Sequence, residues 1–236
     1  MDNDDEVLKA ICFLLKQHNV FHWLCHGTLL GIIREGRLLP WDHDIDIAVW
    51  DNDVTKRQIV NILEGAGYVQ EIVFGETDCL HFYGENKKID ISFYKVKKSI
   101  ASVKWVVPSE GMILKGCVDC MRIIATDCDI QEIDLAEGHV KRLIHLVLLQ
   151  LSRILKKFMP YTIKTYFHRI LAKRLDYRGY SYPIDLMVFQ EIEYKGFMVF
   201  IPNDFKKCLE MTYGKDWMVP KKDYVWYEEA DNIIDL

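Results

Sequence analysis

The chain lacks an apolar run behind a basic start; it opens Met1-Asp2-Asn3-Asp4-Asp5-Glu6. An acidic start argues against a secretory leader, so the expected location is cytoplasmic. It also lacks a stretch fit to span a bilayer, since the leucine-rich run from Leu143 to Ser152 is only ten residues long, about half of what a transmembrane helix needs. Internal repeats and low-complexity linkers are absent as well, which excludes solenoids and tethered arrays. A complete set of disulfide pairs is excluded too, because seven cysteines are an odd number; in a chain without a leader they fit reduced thiols. Cys117, Cys120 and Cys128 form a cluster without an obvious fourth zinc ligand, for which Cys79, His81 and His139 are unforced choices. Free thiols on strands are expected there instead.

What is present is a chain of 236 residues, half of them hydrophobic, long enough to bury a sizeable core and too apolar to be disordered. Its most informative segment is Pro40-Trp41-Asp42-His43-Asp44-Ile45-Asp46-Ile47-Ala48-Val49-Trp50. β-branched and aromatic residues favour a strand here, and residues two apart on a strand share a face. Asp44 and Asp46 therefore point one way while Ile45, Ile47 and Val49 point into a core. Lys88-Ile89-Asp90-Ile91-Ser92-Phe93-Tyr94 repeats the alternation, so a third acid, Asp90, projects from a second strand. Neighbouring carboxylates repel unless a cation neutralises them, and oxygen ligands favour Mg²⁺ or Mn²⁺. A calcium loop beginning at Asp42 does not fit, because it needs Gly at its sixth position, where Ile47 stands, and Glu at its twelfth, where Asp53 stands.

Upstream, Gly27-Thr28 precedes Leu29-Leu30-Gly31-Ile32-Ile33-Arg34-Glu35-Gly36, which predicts a short helix stopped by glycine with Thr28 near its N-cap. Free N–H groups at such a helix start accept an anion, Gly27 permits close approach, and Arg34 offers a bidentate phosphate contact. Simple capping by Thr28 is the plainer explanation.

The run Gly27-Thr28-Leu29-Leu30-Gly31, Arg34 and Pro40 to Ile47 resembles the signature of the LicD family of phosphotransferases, which includes the fukutin-related proteins and belongs to the nucleotidyltransferase-fold superfamily. Tyr194-Lys195-Gly196-Phe197, Ile201-Pro202 and Tyr213-Gly214-Lys215-Asp216-Trp217 resemble the family's closing segment. His43 departs from the pattern, which usually has a further Asp there. The resemblance implies transfer of a phospho-alcohol, phosphocholine or a polyol phosphate, from a CDP-linked donor to a hydroxyl of a cell-surface polysaccharide or glycolipid, as in capsule or lipopolysaccharide biosynthesis. Gly27, Thr28 and Arg34 would bind donor phosphate. Asp44, Asp46 and Asp90 would be both the metal ligands and the catalytic acids, with Asp90 nearer the acceptor and helping to remove its proton. Trp41, His81, Tyr213 and Trp217 are candidates for the substrate pocket. A quaternary ammonium would need an aromatic cage, for which Trp217, Trp226, Tyr224 and Tyr227 are available. A nucleotide-sugar glycosyltransferase also uses Asp-x-Asp, but only 43 residues precede Asp44. A non-catalytic scaffold would keep surplus carboxylates at a cost.

The net charge of −5 is uneven: residues 141–178 carry ten Lys or Arg and one acid, a net +9 that leaves −14 on the remainder. Two helices are expected there, one from Lys141 to Met159 and another from about Thr162 to Leu175, interrupted at Pro160. Three readings stay open for them: packing of Leu143, Leu146, Val147, Leu148 and Leu151 on the catalytic sheet, peripheral contact with the inner face of the plasma membrane through 141–178, or attraction of an anionic donor. Nucleic acid is not expected as a partner of an acidic chain with few interleaved aromatics. The whole predicts an α/β (α+β) fold, a mixed sheet flanked by helices over 1–236, with a catalytic core about 7–130, a basic helical segment about 139–178 and a closing segment about 185–225.

Overall fold

The computed structural model describes residues 3–71, 77–85, 87–107, 112–125, 139–160, 162, 163, 166, 170, 173 and 175–235. Helix α1, Asn3–Gln17, places Asp4, Asp5 and Glu6 in its first turn and buries Val7, Leu8, Ile11 and Leu15, matching acids to the positive helix end and an apolar stripe to the core. Strand β1, His22–Leu24, leads into α2, His26–Glu35, which stops at Gly36 in the left-handed region, φ 66°. Strand β2 is Asp44–Trp50. Helix α3, Lys56–Gly65, starts with a Thr55–Gln58 capping box. Strands β3 (Val69–Glu71), β4 (Cys79–Gly84), β5 (Lys87–Lys97) and β6 (Ile100–Val106) follow, then helices α4 (Met112–Ala125) and α5 (His139–Leu155). Strand β7 (Tyr177–Pro183), the hairpin β8 (Phe189–Tyr194) and β9 (Phe197–Pro202), helices α6 (Phe205–Tyr213) and α7 (Trp226–Glu229), and β10 (Ile233–Asp235) complete the chain.

The sheet runs β1-β2-β5-β6-β7-β10, with β4 also paired to β5 and β3 to β4. Only β2 and β5 run parallel; the other described pairings are antiparallel. This is the expected mixed sheet flanked by helices. Ile45, Ile47 and Val49 of β2 and Ile89, Ile91 and Phe93 of β5 are buried in one continuous cluster that takes in α1, α2, α3, Ile201, Leu209 and Trp217. A second cluster is rich in aromatics, including Trp23, Tyr94, Tyr180 and Tyr182. The β8–β9 hairpin turns at Lys195-Gly196, both at positive φ, a two-residue turn that suits the strand twist.

Strand β3 is described as Val69–Glu71, residues 72–76 lying outside the described residues. Several expectations shift. Cys117 and Cys120 are free thiols on helix α4, not on strands, and Cys128 lies outside the described residues. Most of the helix anticipated at 162–175 lies outside them as well. Helix α5 ends at Leu155, short of Met159. Its Leu143, Leu146, Val147, Leu148 and Leu151 are exposed, so they do not pack on the catalytic sheet; α5 buries only His145, Leu149 and Ser152. No helix among the described residues is long and apolar enough to cross a membrane.

Candidate active site

The parallel register places Asp46 opposite Asp90 and Asp44 opposite Lys88, while β4 brings His81 opposite Asp90 from the other side. Side chains at matched register share a face. The result is a row of His81, Asp90 and Asp46 across three strands, with Lys88 and Asp44 in the next row. His81 Nδ1 lies 2.6 Å from Asp90 Oδ1. The Lys88 ammonium donates to Asp90 Oδ2 at 2.9 Å and lies 3.4 Å from Asp44 Oδ2.

Asp46 also fastens α2 to the sheet. Its Oδ2 accepts from the Gly27 N–H at 2.9 Å and the Thr28 N–H at 3.4 Å, and its own N–H donates to Thr28 Oγ1 at 2.8 Å. Thr28 therefore does not cap the helix. The helix begins earlier, at His26, and Cys25 at the cap position makes no side-chain capping bond, because the carboxylate of β2 supplies the acceptor that free helix-start N–H groups require. A Cβ on Gly27 would lie 2.0 Å from Asp42 Oδ2, so any larger residue there would push the Asp42 carboxyl away from its present place beside the helix start.

Asp42, just before β2, joins the pair: ligand atoms of Asp42, Asp44 and Asp46 lie within 4.8 Å of one another, and those of Cys79, His81 and Asp90 form a second such group. Burial and then the Asp44 carboxylate push Asp42 up to about 8. Burial, with Asp44, Asp42 and Asp90 adding to it, raises Asp46 well above the usual carboxylate range. Burial also disfavours ionised Asp90, but His81 and Lys88 outweigh it and hold Asp90 below that range. Three crowded carboxyls, of which Asp42 and Asp46 hold their protons more tightly than a free acid, all offering oxygen, fit a hard divalent cation. Asp90 already has a cation in Lys88 and a hydrogen-bond partner in His81.

These acids line a cavity of about 800 Å³. Gly27, Arg34, Trp41, His81, Tyr213 and Trp217 line it too. Arg34 is already engaged: it donates to Trp217 O at 3.3 Å and pairs with Glu35 at 3.0 Å, and its Cζ stands 5.9 Å from the Trp41 ring. Thr28 is buried behind Asp46, and His43 is exposed beside the acids. Of the aromatics considered for a cage, Trp217, Trp226 and Tyr224 reach the cavity; Tyr227 does not, its carbonyl accepting from Arg178.

Sequence reasoning passed over Asp42, Lys88, Trp105, Tyr180 and Lys222, which line the same space. Asp42 carried a signal in its i, i+2, i+4 spacing with Asp44 and Asp46, and Lys88 one in its i, i+2 spacing with Asp90. Trp105 and Tyr180 come from β6 and β7 and carried none. His26 also lines the cavity, at φ 45°, with its ring 5.0 Å from that of Tyr180 and 5.1 Å from that of Trp105. Burial lowers it to about 4, and its buried Nδ1 has no hydrogen-bond partner among the described residues.

Paired acids on one strand, a further acid on the parallel neighbour and a glycine helix start packed on them form one acidic wall of the cavity. Residues 19–115, less than half of the chain, match the family described as LicD/FKTN/FKRP, nucleotidyltransferase domain. It is 32% identical over 66 residues to "Ribitol 5-phosphate transferase FKRP" of Homo sapiens, covering 28% of this chain and 13% of that protein. It is 32% identical over 93 residues to "Ribitol-5-phosphate transferase FKTN" of Mus musculus, covering 38% and 20%. The chain thus spans a fifth or less of these two relatives. A solution structure of the antibiotic-resistance factor ANT(2'')-Ia aligns at 12% identity over 74% of this chain and 92% of that one, with a TM-score of 0.37, too low to bear on the argument.

Proposed function

We propose that this chain is a metal-dependent transferase that moves a phospho-alcohol group from a CDP-linked donor to a hydroxyl of a cell-surface glycan or glycolipid. The observation that carries the reading is the meeting of Asp42, Asp44 and Asp46 on the wall of a cavity large enough for a nucleotide donor. The names of the FKRP and FKTN relatives, ribitol 5-phosphate transferases, support a polyol phosphate as the group moved.

In this reading Asp42, Asp44 and Asp46 hold Mg²⁺ or Mn²⁺, which when bound offsets charge on the donor diphosphate. The acceptor hydroxyl oxygen forms a bond to the distal phosphorus, the bond from that phosphorus to the bridging oxygen breaks, and the bridging oxygen leaves with CMP, whose phosphate takes up the hydroxyl proton. Lys88 and Arg34 contribute fixed positive charge beside the diphosphate, and the aromatic walls exclude water and stack on flat or apolar parts of the substrates. Asp90 anchors Lys88 and His81. A carboxylate held below its usual range is a weak proton acceptor, so the proton-removing role expected of Asp90 is not retained.

Calorimetry with CDP-ribitol, CDP-glycerol, CDP-choline and UDP-sugars, with and without Mg²⁺, tests the reading. Metal-dependent binding of a CDP-alcohol, lost in Asp46→Ala, is the expected result. Preference for a UDP-sugar would move the assignment to glycosyl transfer, and absence of any nucleotide binding would leave a scaffold.

A further inference from the structure

Helix α5 presents its apolar side outward. Its buried seam is narrow: His145, Leu149 and Ser152 face α4, where Ile123 packs on Leu149 and Asp119 lies 3.2 Å from His145 Nε2. At about 100° per residue, Val140, Leu143, Ile144, Val147, Leu151 and Ile154 fall on the opposite face, and Phe158 in the following turn continues it. All seven are between 50% and 77% exposed. Arg142, Gln150, Arg153 and Lys157 run along one edge of this face, with Arg142 and Lys157 exposed. In a surface helix of a globular protein the apolar stripe faces the body and charges face water; here the wide apolar face points away from it.

We propose that α5 docks on an anionic lipid surface, with its apolar face in the boundary between headgroups and acyl chains and its cationic edge against lipid phosphates. Charge complementarity selects this occupant. The segment 141–178 carries net +9 in a chain of net −5, and a polybasic segment is attracted to anionic headgroups. A second copy packed antiparallel would bring two cationic edges together. The acyl boundary accepts Leu, Ile, Val and Phe without a matching shape and needs no spanning length. The helix pair also adjoins the catalytic cavity, since Val106 at the end of β6 lines that cavity and packs against Met121 and Ile124 of α4. The inference is independent of which group is transferred.

Co-sedimentation of the full chain with vesicles of phosphatidylglycerol and phosphatidylcholine, against phosphatidylcholine alone, tests it. Two variants accompany the wild type: Val147→Glu with Ile154→Glu on the apolar face, and Arg142→Glu with Lys157→Glu on the cationic edge. Because all four side chains are exposed, the variants should keep the wild-type circular dichroism. Binding is expected to mixed vesicles only, to weaken with salt, and to fall at least about tenfold in both variants. Wild type left in the supernatant, or variants that bind equally, overturns the proposal. So does a concentration-dependent dimer seen by light scattering and lost in Val147→Glu with Ile154→Glu, which would assign the face to a second copy.

Discussion

Asp42 and Asp46 keep their protons at a higher pH than free carboxylic acids, so the metal-free protein should lose stability as pH rises. A carboxyl raised from 3.8 to about 8 contributes stability that is complete below the unfolded value and disappears as pH rises through the folded one. Between pH 7 and 8.5 the melting temperature of the metal-free protein should fall, and saturating Mg²⁺ should reverse that slope; a flat profile without metal would show that the acids are not crowded. His22 and His26, lowered by burial, act below their unfolded value near 6.5, and depressed Asp90 acts below 4, so neither disturbs this window. Gly27→Ala gives a separate test. Alanine improves helix propensity by up to about 1 kcal/mol, yet its Cβ would stand 2.0 Å from Asp42 Oδ2. Divalent affinity, read by calorimetry, should drop at least about tenfold, roughly 1.4 kcal/mol, while the helical circular dichroism is kept. Unchanged affinity would remove Asp42 from the ligand set.

Among the secondary-structure elements, β2 and β5 were legible because a strand repeats every two residues: Ile45, Ile47 and Val49 had to face one way and Asp44 and Asp46 the other. Helix α2 was legible from its apolar run and Gly36, but its start was not, since that start is set by Asp46 from a different element. Helix α5 was legible as a helix, whereas the direction of its apolar face depends on what lies beneath it. Its attachment to α4 includes the buried Asp119 and His145, 3.2 Å apart, and removing one member of a buried polar contact costs about 1–3 kcal/mol. Asp119→Ala should therefore speed amide exchange across 139–155 well beyond that of the sheet, measured by mass spectrometry, with donor binding retained. Uniform exchange in both regions would mean that α5 is held by other contacts.

Across the whole molecule, the closing segment is built into the core that supports the acids. Trp217 is buried in the same cluster as Ile45 and Ile89, and its carbonyl accepts from Arg34 of α2. Trp217→Ala should cost about 3–5 kcal/mol, visible as a lower midpoint in urea, and should also weaken donor binding because Trp217 lines the cavity. Weakened binding without the stability loss would make Trp217 a substrate wall with little part in the core.

Local chemistry along the chain was enough to place Asp44, Asp46 and Asp90 on strands facing away from a core, to end α2 at Gly36 and to set a basic helix apart, because strand and helix periods and glycine conformation act over a few residues. The company those groups keep came from long-range pairing. Register set Lys88 and His81 on Asp90, the approach of α2 made Asp46 the acceptor for Gly27 and Thr28, and β6 and β7 brought Trp105 and Tyr180 to the cavity. The outward face of α5 was likewise settled by its packing on α4: a helical period shows that a face exists, but only the neighbouring elements determine what it meets.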